Sequence, residues 1–151
     1  MSHTTHLKAV QIRDVSALRQ AAAELKAKGV KCDLVEKERP RMFYAQQHGE
    51  CDFVLKLADA PYDVGFDRQQ DGSYAPVFDE WGQHVARQLG ADVNVCPMPT
   101  TPEGKAQHQI GKFMQSYAKF AAINAAVAQG YIVEGTQTDA KGNVHLVLSG
   151  M

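Results

Sequence analysis

Residues 110–130, IGKFMQSYAKFAAINAAVAQG, followed by residues 131–148, YIVEGTQTDAKGNVHLVL, decide the class of fold. In the first stretch Ile110, Phe113, Tyr117, Ala121, Asn124 and Val127 recur at steps of three and four, which puts them on one face of a helix that Gly130 ends. In the second, residues 131–136 alternate, and Val144, Leu146 and Leu148 alternate again after the turn sequence Asp139-Ala-Lys-Gly142, so two strands pair as a hairpin. A long amphipathic helix running into a hairpin predicts an α+β domain. As a packing unit it carries no chemistry.

Working back toward the N-terminus, residues 7–13 read as a strand. Asp14 or Ser16 can cap a helix whose Val15, Leu18, Ala22 and Leu25 share a face before Gly29, and residues 30–35 return as a strand with Val30, Cys32 and Leu34 on one side. A weakly patterned link containing Phe43 and Tyr44 follows. Phe53, Leu55 and Leu57 then alternate, as do Tyr62, Val64 and Phe66. Gln69-Gln-Asp-Gly72 is a turn, and residues 73–78 continue the meander, with Pro76 marking an edge or a strand end. Asp79 can cap a short helix reaching Gln88, with Trp81, Val85 and Leu89 at steps of four. Residues 92–104 hold Pro97, Pro99 and Pro102 with little apolar content and read as an irregular exposed loop. The expectation is one α+β domain over residues 1–151, broken by a Pro-rich loop at about 92–104. It would be built on one antiparallel sheet of six or seven strands with the two main helices packed on one face.

A chain of 151 residues can bury roughly two-thirds of its unfolded surface without staples. The cysteines Cys32, Cys51 and Cys96 are odd in number and widely spaced, as suits thiols in a reducing compartment. The start of the chain lacks a signal-peptide pattern, and no apolar run reaches the roughly 20 residues of a membrane span. The expected location is therefore cytoplasmic, with no membrane partner. Net charge is −1, unevenly spread: residues 1–49 carry nine Lys/Arg against five Asp/Glu, while residues 50–92 carry three against nine. The basic stretch Lys26, Lys28, Lys31, Lys37, Arg39 and Arg41 is interrupted by Asp33, Glu36 and Glu38 and reads as a solvated face, which weighs against a nucleic-acid accessory role.

The chemistry-bearing residues are sparse. Among the histidines and cysteines His3 and His6 are the only close pair, and no zinc-type pair of cysteines exists, so no metal or cofactor is assigned. Cys51 or Cys96 would need a histidine beside it to act as a nucleophile, and His84 and His108 flank the Pro-rich segment. Asp63, Gly65 and Asp67 share a strand face opposite Tyr62, Val64 and Phe66. That face is either solvated or an acid/base or metal pair, the acid/base pair serving a small-molecule or nucleotide-derivative enzyme. Gly65, Gly72 and Gly82 form no phosphate loop. Trp81, between Asp79-Glu80 and Gly82, either caps the core over Phe78 and Val85 or presents an aromatic to a partner.

Several of these stretches together carry a likeness: Met1-Ser-His, residues 7–29, Tyr62-Asp-Val-Gly-Phe66, Asp71-Gly-Ser-Tyr74, Asp79-Glu-Trp81-Gly82, Gly130-Tyr131-Ile-Val133 and Gly142-Asn-Val-His-Leu-Val-Leu148. The chain resembles the ycf-thirty-five-like family, a domain of unknown function in cyanobacteria, plastids, other bacteria and phages. Residues 96–104 depart from the compact pattern of that family. The resemblance implies an association with ATPases of the AAA type in bacterial and phage gene neighbourhoods. With no catalytic spacing in view, the expected role is a non-enzymatic adaptor or regulatory module. It would bind another protein through Trp81, Asp79, Glu80, Asp63 and Asp67.

Overall fold

The computed structural model describes residues 11–43, 49–90, 100–140 and 144–150. Strands β1 (Cys32–Glu38), β2 (Cys51–Leu57), β3 (Val64–Arg68) and β4 (Tyr74–Val77) form an antiparallel meander in the order 1-2-3-4. The helices are α1 (Val15–Ala27), α2 (His84–Leu89) and α3 (Pro102–Ala128), with a 3-10 turn at Trp81–Gln83. Strands β5 (Ile132–Thr138) and β6 (Val144–Ser149) pair only with each other among the described residues. The fold is α+β as expected, but the expected single sheet of six or seven strands is instead a four-stranded sheet and a two-stranded one. The physical reason is α3. A helix of 27 residues spans about 40 Å, more than twice the width of four strands. It delivers the hairpin clear of the meander, and β5 and β6 pack mainly against α3 itself.

Local sequence explains the element ends. Asp14 caps α1 by accepting from the Ala17 amide at 3.0 Å. The helix buries Ala17, Leu18, Ala21, Ala22 and Leu25, so Ala17 and Ala21 join the expected stripe while Val15, at its first turn, is only partly buried. Helix α3 begins at Pro102, not Ile110. Thr101 Oγ1 accepts from the Gly104 amide at 3.1 Å and Pro102 occupies the first turn. Residues 102–104 therefore open a helix instead of closing a loop, while residues 91–99 of that loop lie outside the described residues. Ile110 breaks the helical dihedrals (φ −133°, ψ 23°), which is why the apolar period read from that residue onward missed the turns before it. Of the strand expected at 7–13, only its last three residues are described. There Ile12 makes a single antiparallel bridge to Tyr74, whose amide donates to the Ile12 carbonyl at 2.7 Å. Pro76 does lie on an edge strand of the sheet, opposite Phe66.

The core lies between the sheet and the two long helices. Phe53 and Phe66 are directly paired on adjacent strands and so share a sheet face. The Arg19 guanidinium of α1 stands over the Phe53 ring at 5.5 Å, and Phe113 of α3 meets Phe66 at 5.5 Å, so both helices pack on that one face. Tyr117 stitches α3 to the start of α1: its hydroxyl accepts from the Arg13 and Asp14 amides at 2.8 and 3.0 Å and donates to the Gln11 carbonyl at 3.3 Å. Glu24 of α1 accepts from Ser116 Oγ at 2.8 Å and from Lys119 Nζ, both on α3. No described helix is long and apolar enough to cross a membrane.

The second face of the sheet is closed by the chain leaving β1. Pro40 and Met42 are buried there, and Gly65 on β3 is the point of closest approach. A Cβ on Gly65 would lie 2.6 Å from Cys51 Sγ and 3.1 Å from Pro40 Cγ, so only glycine fits. Beside it Asp63, with 1% of its side chain exposed, forms an ion pair with Arg41 at 2.7 Å. Asp63 also accepts from the Arg41 and Leu57 amides at 3.0 and 3.1 Å. The Arg41 NH2 group goes on to donate to the Leu57 and Ala60 carbonyls at 2.7 and 3.0 Å, so one guanidinium closes the β2–β3 turn.

Two outcomes follow. Asp63→Ala leaves the buried Leu57 amide without its acceptor and the half-exposed Arg41 guanidinium with only its two carbonyl contacts, a loss of about 1–3 kcal/mol; a urea-unfolding change below about 1 kcal/mol would show that the site is not structural. For Glu24, burial alone would push the carboxyl up, but hydrogen bonds from Lys119 and Ser116, with the charges of Lys119 and Lys28, bring it net below its ordinary value. Its contribution is therefore complete above the ordinary glutamate value of about 4.3 and is lost as pH falls through the lower folded value. Glu24→Gln should destabilise by about 1–2 kcal/mol at neutral pH, with the gap to wild type closing below that range. A gap that widens on acidification would reverse the sign of the argument.

Candidate functional site

Past β4 the chain turns sharply, and one carboxylate sets the turn. Asp79 Oδ1 accepts from the Trp81 amide at 2.9 Å, and its Oδ2 accepts from the Phe43 amide at 2.8 Å. The short helix expected to start at Asp79 is thus a 3-10 turn first, becoming α-helical only at His84. The break comes from two successive left-handed residues, Gly82 (φ 67°) and Gln83 (φ 57°). A Cβ at Gly82 would also sit 2.8 Å from His84 Nε2 and push that ring aside, but it is the left-handed backbone that calls for glycine. The His84 ring packs edge-on to Tyr62 at 5.5 Å, and its Nδ1 lies 3.2 Å from an Arg87 guanidinium nitrogen.

This arrangement places two large aromatics side by side on the surface. Trp81 is 59% exposed and Phe43 is 50% exposed. Their rings meet edge to face at 5.5 Å with planes 87° apart, the geometry aromatic pairs favour. Trp81 therefore does not cap the core over Phe78 and Val85. Glu80 borders the pair and reaches Lys105 of α3 at 3.4 Å. Beneath the turn, Gln109 Nε2 donates to Gln83 Oε1 at 3.0 Å, anchoring the turn to α3. The buried neighbours His108 Nε2 and Gln109 Oε1 find no hydrogen-bond partner among the described residues.

The residues picked from the sequence are divided by the fold. Asp79, Glu80 and Trp81 come together, joined by Phe43. Asp63 does not: the face it shares with Gly65 is neither solvated nor open, because residues 39–43 cross it, and Asp63 is held by Arg41. Asp67 is half-buried and interacts with Cys51, so each of the two aspartates is engaged with a partner of its own. Burial, aided by the charges of Asp67 and Asp52, pushes the Cys51 thiol up to about 12, and burial also raises Cys32; neither is a thiolate near neutral pH. His3, His6 and Cys96 lie outside the described residues, among which no three His, Cys, Asp or Glu side chains gather as a metal site would need.

The basic stretch is largely neutralised in place. Lys26 meets Asp33 at 2.8 Å, Lys28 meets Glu24 at 3.5 Å and Lys31 meets Asp59 at 3.9 Å. An open groove of about 730 Å³ beside β1 and β2 is lined by Lys31, Val35, Glu38, Arg41 and Lys56 among others. All three of its cations are already taken, Lys31 by Asp59, Lys56 by Glu38 at 2.9 Å and Arg41 by Asp63 at 2.7 Å.

Phe43 and Arg41 were missed in the sequence because the link containing them has no period. The available signal was the pair of charges flanking Pro40 in a stretch otherwise rich in surface residues.

A family model described as "Protein of unknown function (DUF1257)" matches residues 27–147. No curated protein and no solved structure matches the chain.

Trp81 is the only tryptophan of the chain, so intrinsic fluorescence reports this site alone. The native protein should emit at the long wavelength of a hydrated indole and be readily quenched by acrylamide. Asp79→Ala, which frees both aromatic backbones, should change that emission with little loss of stability. Short-wavelength, quench-resistant emission from the wild type would place Trp81 in the interior and remove the site.

Proposed function

We propose that this chain, which belongs to the family described as a protein of unknown function (DUF1257), is a non-enzymatic adaptor that docks another protein through the Phe43–Trp81 pair. The observation that supports the reading is the Asp79 clamp. Both of its carboxylate oxygens bind the backbone of the two aromatics, which holds their rings outward although burying either would be favourable. A preorganised aromatic pair loses little conformational entropy on binding, and tryptophan is enriched among the few residues that carry most interface energy. Glu80 and Lys105 supply a charged rim of the kind that speeds and orients encounter. The partner we propose is an ATPase of the AAA type, as the resemblance to the ycf-thirty-five-like proteins implies.

The test is kinetic. Trp81→Ala and Phe43→Ala should each raise the dissociation rate from the partner captured in the native host, for Trp81 by about 2 kcal/mol or more. Glu80→Gln should act mainly by slowing association. Because Trp81 is largely exposed, its truncation should leave the melting temperature near wild type. A folded Trp81→Ala protein that binds unchanged would refute the docking site.

A further inference from the structure

The hairpin at the far end of α3 has no core of its own. Ala126 is the last buried residue, and no described residue from Val127 to Gly150 is buried. Val127, Tyr131, Ile132, Val147 and Leu148 are instead all at least 40% exposed. A two-stranded hairpin is marginal alone and needs further strands or a covering layer, and here α3 covers only part of it.

The edges of the molecule's sheets are not alike. On β1, Lys37 turns left-handed (φ 53°) and the ladder skips it between the Glu36–Phe53 and Glu38–Cys51 pairs, with charges on either side. On β4, Pro76 removes a donor and Ile12 occupies the outer edge at Tyr74. On β5, the register shifts between Val133 and Gly135, with Glu134 in the bulge. Bulges, prolines and charges are the usual guards against edge pairing. β6, Val144-His-Leu-Val-Leu-Ser149, has no bulge, proline, lysine or acid, and its one ionisable side chain, His145, is taken by Asp139 at 3.1 Å.

We infer that β6 pairs antiparallel with β6 of a second copy of this chain, across a two-fold axis near Leu146 and Val147, forming one four-stranded sheet β5-β6-β6-β5. The choice of a second copy comes from charge. From Phe120 to Val133 the chain has no Asp, Glu, Lys or Arg, and β6 has none either. A surface so nearly neutral matches itself and offers no handle to a charged partner. A strand edge also presents donors and acceptors in the order that its own antiparallel copy requires. Val147 and Leu148, on opposite faces of β6, would then each gain a cross-strand neighbour. This surface is separate from the Phe43–Trp81 pair, and neither depends on the other.

The full-length protein at tens of micromolar should sediment at twice 16.6 kDa, and β6 amides should become more protected from hydrogen exchange as concentration rises. Val147→Lys should be monomeric with wild-type Trp81 fluorescence, because a charge near the axis faces its own copy. An equimolar mixture of Val147→Lys and Val147→Glu should recover the dimer, which binding of an unrelated protein would not do. A wild type that stays monomeric, or a folded Val147→Lys variant that remains dimeric, overturns the inference. If Val147→Lys does not fold, concentration-independent exchange of wild-type β6 overturns it on its own.

Discussion

The Asp63–Arg41 pair is the constraint on which the surface of this molecule depends. A carboxyl with essentially no exposure must have its lone pairs filled, and here they are filled by one guanidinium and by the amides of Arg41 and Leu57. Because one of those amides belongs to Arg41 itself, the backbone is fixed along with the side chain. The Asp63 amide donates back to the Arg41 carbonyl at 3.0 Å, as a strand would. Two residues later the same segment reaches Asp79, which takes the Phe43 amide. The aromatic pair is thus set by two aspartates in series, one buried and one at the surface. The geometry of Trp81 and Phe43 is inherited from a contact inside the protein.

Much of this architecture was legible in the residues, and what was not has physical reasons. Strands β1 to β4, the apolar stripe of α1 and the hairpin all followed from periodicity, since one-sided burial imprints a period on the sequence. Alternation also suggested that Asp63, Gly65 and Asp67 faced water. That reading failed because it assumes a sheet covered on one side, whereas the aperiodic link after β1 covers the other. A buried charge leaves no periodic trace, and its partner lies 22 positions away. The start of α3 was missed for a related cause. Thr101-Pro102 is a helix-opening pair, but three nearby prolines and the break at Ile110 hid it among loop signals. At the candidate site Asp79 and Trp81 were legible as a turn and an aromatic, while Phe43 could be joined to them only in space.

Tyr117 has a consequence of another kind. Its hydroxyl satisfies amides at Arg13 and Asp14, residues 104 and 103 positions earlier in the chain, and Asn124 and Lys119 of the same helix reach Asp14 and Glu24. Helix α1 is therefore docked on one side by the sheet and on the other by groups synthesised far later in the chain. On a ribosome the meander β1 to β4 can close while α3 is still in the exit tunnel, but the side of α1 that meets α3 stays uncovered until that helix emerges. Contacts of such long sequence separation are slow to form because the loop they close is most of the protein. The order of synthesis thus makes the last helix the step that commits the first one, and the interval between them is when the nascent chain is most open to proteases and to aggregation.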